Sequence, residues 1–320
     1  MSLFTKERVK LIRANIYPLG ALTRELKGEQ LAEMHLLKTA GCVGVSNALI
    51  EIENTEVLRR AFEYAKSCDL TVYIYAEDRK IKNHGIIHEG PISTRLGLPA
   101  IPETAETIAI SRALLLIEQT NVRAHFSHLS TARGVELISE AKKRGVQVTA
   151  GTSICNLHLT DMDIANYDSN CHLQPPLRSE RDRMGLIEGI NNGVINTVSS
   201  DHQPHDTNAK SAPFSLTEPG ASTIEHLLPL MLHLVNRHEV TYEKAILLTT
   251  SQPAKVLGAE KGTIKKNNIA DLCIYDPDEN ISVDKNTMLS VGKNTPFNGW
   301  ELQGKVTHTL FNGKVIFSLD

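Results

Sequence analysis

Apolar and polar positions along the 320 residues follow two alternating spacings, and the alternation predicts a fold class. Short runs rich in β-branched and apolar residues fall at 14–21, 42–48, 70–76, 122–128, 146–153 and 194–200, and these predict strands. Stretches with apolar residues three and four apart lie between and after them. They predict helices at 29–39, ending at Gly41; at 55–66 behind a capping Asn54; at 103–118 behind Pro102; at 131–144 behind Ser130, with a stop at Gly145; and at 180–192, stopping at Gly193. Two more are predicted near 222–235 and 242–257, the second ending at Gly258. The stripe Leu227, Leu230, Met231 and Leu234 has helical spacing and is expected to be core.

Strands alternating with helices argue for a parallel α/β fold. About six strand–helix units are visible, whereas a closed barrel of this class uses eight. The tail changes character: the stretch 270–278 and the hairpin pattern around Asn312-Gly313 read as short antiparallel strands. The expected organisation is therefore an incomplete (β/α)8 barrel over 1–258 and a small β appendage over 259–320. The polar, Pro- and Gly-punctuated loop at 201–219 is long enough to be a lid or a binding loop.

Composition narrows the partners. Formal charge is −3, with neither a basic block nor an acidic tail, which gives no electrostatic case for nucleic acid or an anionic membrane. No apolar run approaches the roughly 18 residues that span a bilayer. The N-terminal residues have no signal-peptide h-region. Five cysteines, odd in number and widely spaced, fit free thiols in a reducing cytoplasm. Cys155 as a metal ligand is the one other reading of them.

Candidate chemistry concentrates at the end of the run 194–200. Asp201-His202 follows it directly, with His205 one turn later. In a barrel of this kind chemistry sits where strands end. An Asp beside imidazoles at a strand end supplies a metal ligand able to take a proton from bound water.

This segment, SSDHQPH at 199–205, resembles the T-D-H-A-P-H signature of the dihydroorotases, in the cyclic amidohydrolase superfamily. Further blocks resemble the same family in the same order: 17–34, 76–81, 88–106, 125–150, 174–190, 270–278 and 292–299. The resemblance covers nearly the whole chain. It implies a metal-dependent amidohydrolase barrel and, in active members, zinc-dependent interconversion of carbamoyl aspartate and dihydroorotate. It also implies a ligand set: an H-x-H pair at the first strand end, a carboxylate or carbamylated lysine at the fourth, histidines at the fifth and sixth, and an Asp at the eighth.

Placed on that pattern, the first run here corresponds to the family's third strand, so the H-x-H strand has no counterpart in this sequence. The fourth-strand carboxylate falls on Ala48, and the fifth-strand histidine on Tyr75. The sixth-strand histidine is kept as His128, and the eighth-strand aspartate as Asp201. The seventh-strand T-P-H-H-L reads Ser153-Ile154-Cys155-Asn156-Leu157, and a pyrimidine-contacting Asn reads Gln174. The resemblance makes Asp201 the general base of an active member and a metal ligand with His128, and it makes His205 a contact of the substrate carboxylate. Ala48 has no donor atom, and a Tyr75 phenolate is expensive at a reference pKa of about 10. A catalytic zinc normally takes about three protein ligands and an open position. The donor set left here is short of that, and the zinc site is expected to be empty or weak.

Two readings follow. One is a noncatalytic dihydroorotase-like subunit, of the kind some bacteria pair with aspartate transcarbamoylase. The other is an active zinc-dependent cyclic amidohydrolase seen as a truncated chain. Unpaired sheet edges favour association, so the chain is expected to be part of a longer protein or an obligate assembly member. His125, three residues before His128, is expected on the opposite face of its strand, toward the helices. Glu77 and Asp78 read as polar loop residues. Arg95, Pro99, Pro102 and the tract from Asn294 to Phe297 read as architecture.

Overall fold

The computed structural model describes residues 13–319. All six predicted runs form strands, each shorter than its run. Between β1 (Leu19–Ala21) and β2 (Gly44–Ser46) lies α1 (Met34–Thr39). Next come α2 (Thr55–Ser67), β3 (Thr71–Ile74), α3 (Arg79–Lys82), the two-residue strands β4 (Ile87–His88) and β5 (Ala100–Ile101) flanking α4 (Pro91–Leu96), and α5 (Thr104–Thr120). The parallel pattern continues through β6 (Ala124–Phe126), α6 (Ala132–Lys143), β7 (Val148–Ser153), α7 (Ile154–His158), α8 (Glu180–Asn191) and β8 (Thr197–Ser199). The helices α9 (Asn208–Ser211), α10 (Leu227–Asn236), α11 (Tyr242–Thr249) and α12 (Ser251–Leu257) lead to the antiparallel strands β9 (Leu272–Ser282), β10 (Glu301–Phe311) and β11 (Lys314–Ser318).

The large sheet runs β1-β2-β3-β6-β7-β8, and its paired strands are parallel. Its register aligns Val45, Val72, Ala124 and Val148 in one row. All four are buried and share a core with Phe62 of α2, Ile110 and Ile117 of α5, Ile138 of α6 and Ile187 of α8. The adjacent row, Ser46, Tyr73, His125 and Thr149, points the other way. There Tyr73 Oη donates to the Val256 carbonyl of α12 at 3.2 Å.

His125 lies in this second row, which corrects the expectation that it faces the helices. Its Nδ1 is 2.8 Å from Thr149 Oγ1, its Nε2 is 3.4 Å from Thr197 Oγ1, and its ring lies against Tyr73. The counting argument fails because β6 ends at Phe126, before the chain reaches His128.

Local chemistry accounts for the helix ends. Asn54 Oδ1 accepts from the amides of Glu56 and Val57 at the start of α2. Thr131, one residue later than expected, caps α6 through Gly134 N. The helix predicted at 242–257 is divided at Thr250, whose φ/ψ of −128/−88 is not helical. Pro253 is the cause, since it has no N–H and its ring clashes with the carbonyl four residues back.

The three-stranded sheet orders β11-β10-β9. Its β10–β11 turn is Asn312-Gly313, both at positive φ (50° and 76°), as a type I′ hairpin requires. Gly304 (φ +98°) lets β10 lie on α10: a Cβ there would stand 2.3 Å from Leu232 Cδ1. Phe297 and Trp300, ring centroids 5.0 Å apart, close around His158 of α7 and join this sheet to the barrel. No helix among the described residues is long and apolar enough to cross a membrane, and the five cysteines are free thiols.

Candidate active site at the mouth of the barrel

The predicted residues gather at the C-terminal ends of the parallel strands in three groups. In the first, His128 Nε2 lies 3.4 Å from Asp201 Oδ1. Asp201 follows β8 at φ +48°, a left-handed turn that an Asp tolerates better than most side chains. The same Oδ1 accepts from Gln203 Nε2 at 3.1 Å. His128 Nδ1 is buried and unpartnered. Cys155 is buried close by, and burial, reinforced by the Asp201 charge, pushes its thiol well above the usual range. It is therefore held as a neutral thiol.

The second group is built on Tyr75. Its hydroxyl donates to Glu77 Oε2 at 3.0 Å, while Glu77 Oε1 accepts from Lys82 Nζ at 2.7 Å and Gln174 Nε2 at 3.2 Å. Glu77 is buried, at 7 % exposure, which corrects its reading as a polar loop residue. Asp78 is a cap, its Oδ1 accepting from the amides of Lys80 and Ile81 at the start of α3. Burial first, then the Glu77 charge, holds the Tyr75 phenol well above its ordinary pKa, so no phenolate is on offer. Tyr75 rests edge-on to His128, with ring centroids 6.2 Å apart. Gln174, expected to face a substrate, belongs to this network and also lines the cavity beside it.

The third group is the loop after β8. His205 Nε2 lies 2.9 Å from the Pro219 carbonyl, and its amide donates to Asn294 Oδ1 at 2.9 Å. Asn294 Nδ2 donates to the carbonyls of Gln203 and Gly220. Lys210 Nζ donates to the carbonyls of Ser169, His172 and Glu218. The loop is thus fastened at both ends, and its histidine serves as one of the fasteners. His202 Nδ1 accepts from the amides of Thr223 and Ile224.

Ala48, on the family's carboxylate position, sits at φ +52°, with its amide donating to Ser46 Oγ. Among the described residues no group of three His, Cys, Asp or Glu side chains is placed to hold a metal ion. The chemistry of the donors agrees. Of the four matched positions, Ala48 offers no atom and Tyr75 a protonated phenol already spent on Glu77; only His128 and Asp201 remain. This donor set does not fit a hydrolytic zinc, which asks for about three protein ligands.

A network that the sequence reading missed lies behind the mouth. Glu106 of α5 is buried and accepts from the amides and hydroxyls of Ser130 and Thr131. Arg178, also buried, donates to Ser130 Oγ at 3.1 Å and to the Ile101 carbonyl at 3.0 Å, with Nη1 3.2 Å from His88 Nδ1. The signal available for Glu106 was its place on the apolar side of a helix pattern.

A parallel α/β sheet with a C-terminal β appendage and its polar residues at the strand ends defines the class as an α/β barrel whose candidate chemistry lies at the C-terminal face. The chain belongs to the amidohydrolase family, whose profile matches residues 26–316. It is 45% identical over 302 residues to a dihydroorotase-like protein of Pseudomonas putida, covering 94% of this chain and 71% of that one. It is 38% identical over 303 residues to a dihydroorotase of Geobacter sp. (strain M21), covering 95% and 71%. Among solved structures, L-hydantoinase (dihydropyrimidinase) from Arthrobacter aurescens superposes with a TM-score of 0.88 at 26% identity, over 99% of this chain and 73% of that one.

Proposed function

We propose that this chain is a noncatalytic dihydroorotase-like protein of pyrimidine biosynthesis, acting in the cytoplasm as a structural partner of aspartate transcarbamoylase. One observation carries the reading. At the mouth, the residue on a metal-ligand position, Tyr75, donates its proton to Glu77, and Glu77 is neutralised by the Lys82 ammonium rather than left open to a cation. A side-chain charge thus occupies the electrostatic role that a divalent ion would fill. The name of the Pseudomonas putida relative, a dihydroorotase-like protein, supports the same reading. Scaffolding draws on the outer surface and leaves the mouth free to lose its ligands.

The second reading is an active zinc-dependent cyclic amidohydrolase interconverting carbamoyl aspartate and dihydroorotate. The adjacency of His128 and Asp201 favours it. Metal analysis of the purified chain, coupled to a dihydroorotate turnover assay, separates the two. The structural reading expects well below one zinc per chain and no turnover above a blank. Stoichiometric zinc with steady turnover overturns it. Co-purification with aspartate transcarbamoylase is the test of the partner, and its failure at micromolar concentrations of both proteins removes that part of the proposal.

A further inference from the structure

A cavity of about 570 Å³ opens beside the mouth, on the side of α3. Its wall carries Arg79, Lys80, Lys82 and His84, with Glu53 and Glu77 as its acids. Of the candidate site residues Gln174 lines it, whereas His128, Asp201 and His205 do not. Its volume falls within the ordinary range for small-molecule sites.

The charges in this cavity do not cancel. Lys82 is matched by Glu77 at 2.7 Å and Lys80 by Glu53 at 3.6 Å. Arg79 gives its backbone N–H to Glu51 Oε2, but the Glu51 carboxylate is already paired with Arg112 at 2.7 Å. The Arg79 guanidinium has no ion-pair partner among the described residues. Lys82 uses one of its ammonium hydrogens on Glu77, and an ammonium has three. Its side chain is only 21 % exposed, and it lines the cavity. A solvated charged helix face would show neither a concave wall nor a half-buried cation lining it.

We propose that this cavity binds a small anion carrying a carboxylate or phosphate group, held by the planar fork of Arg79 and the spare Lys82 donors that line it. Paired N–H donors matched to two oxygens are the geometry in which arginine outperforms a point charge. The cavity shares Glu77, Lys82 and Gln174 with the Tyr75 network of the mouth, and its binding is read by an assay that needs neither zinc nor turnover.

Titration calorimetry of the full chain with inorganic phosphate and with succinate, at constant ionic strength and against a sodium chloride reference, tests it. Saturable binding of phosphate alone identifies a phosphate group as the ligand, binding of succinate alone identifies a carboxylate, and binding of both fits the shared chemistry. R79Q should weaken that binding about tenfold or more, as loss of a charge-assisted pair does. R123Q, at an exposed arginine across the molecule paired with Asp69, should leave it unchanged. Heats no larger than those of chloride, an unaltered affinity in R79Q, or an equal loss in R123Q would each overturn the assignment.

Discussion

Glu77 and Lys82 form a half-buried ion pair at 2.7 Å in the mouth of the barrel, and the carboxylate of that pair also accepts the hydrogen bond of the Tyr75 hydroxyl. Two residues five apart in sequence thereby tie the end of β3 to α3. The pair can be opened from either side. Lys82→Met leaves a carboxylate at 7 % exposure without its cation, and we expect a loss of about 2 kcal/mol, less than for a fully buried pair because Lys82 keeps some solvent. The double variant Glu77→Gln/Lys82→Met should recover most of that loss, since the neutral amide still accepts from Tyr75. Urea unfolding measures both; a double variant no better than the single would show that the pair is not the source of the loss.

Ala48 holds a left-handed backbone conformation at φ +52°, which is unfavourable for a residue with a Cβ by roughly 1–2 kcal/mol. Ala48→Gly relieves that strain and loses part of the gain to the freer unfolded chain. The expected net effect is a stabilisation of roughly 0.5–1 kcal/mol, seen as a higher urea midpoint at unchanged slope. A destabilised variant would mean that the methyl group packs more than it strains.

Glu106 serves four donors at once, the amides and hydroxyls of Ser130 and Thr131. Glu106→Gln retains one oxygen and turns an NH2 group toward groups that themselves donate. We expect a loss of about 2 kcal/mol from the unsatisfied buried donors. Thermal unfolding reads it, and a shift within error of the parent would contradict the network.

Four histidines, three buried and His88 half-buried, are held in neutral form. Burial, and for His88 then the nearby Arg178 charge, lowers His88 to about 4. Burial, followed by the charge of Lys210, does the same for His172. His125 and His158 fall to about 3, chiefly through burial. The unfolded chain binds these protons near pH 6.5, before the folded chain does. Stability is therefore full above that pH and falls as pH drops toward 4, each histidine adding a slope that approaches about 1.4 kcal/mol per unit. Denaturation at pH 7 and pH 5 should show a steep loss. H88Q, whose amide oxygen can accept from Arg178, should lose about 1 kcal/mol less over that interval; a parallel pH dependence would remove His88 from the set.

The six strands of the large sheet, the helix cap at Asn54 and the stop at Gly145 were legible because local chemistry settles them: apolar runs, an Asx side chain, a glycine. The Asn312-Gly313 hairpin was legible for the same reason. His125 was not, because its side depends on where β6 stops, and pairing with neighbouring strands sets that. Glu77 was misread because a polar residue after a strand looks solvated until its partners, Tyr75, Lys82 and Gln174, are seen to converge; Gln174 lies 97 positions away. The donor losses at Ala48 and Tyr75 could be seen in sequence, whereas the ion pair beside them could not. The break before α12 was visible in principle as Pro253.

Asn294 reaches across 89 positions to hold the amide of His205, and across 74 to hold the carbonyl of Gly220. The polypeptide leading into the last strands is therefore a buckle on the rim of the barrel. Cutting the chain ahead of Asn294, or shifting its frame there, would remove more than the terminal hairpin: the rim would come undone with it. In this architecture a segment ahead of the last described strands governs the shape of an opening encoded far upstream.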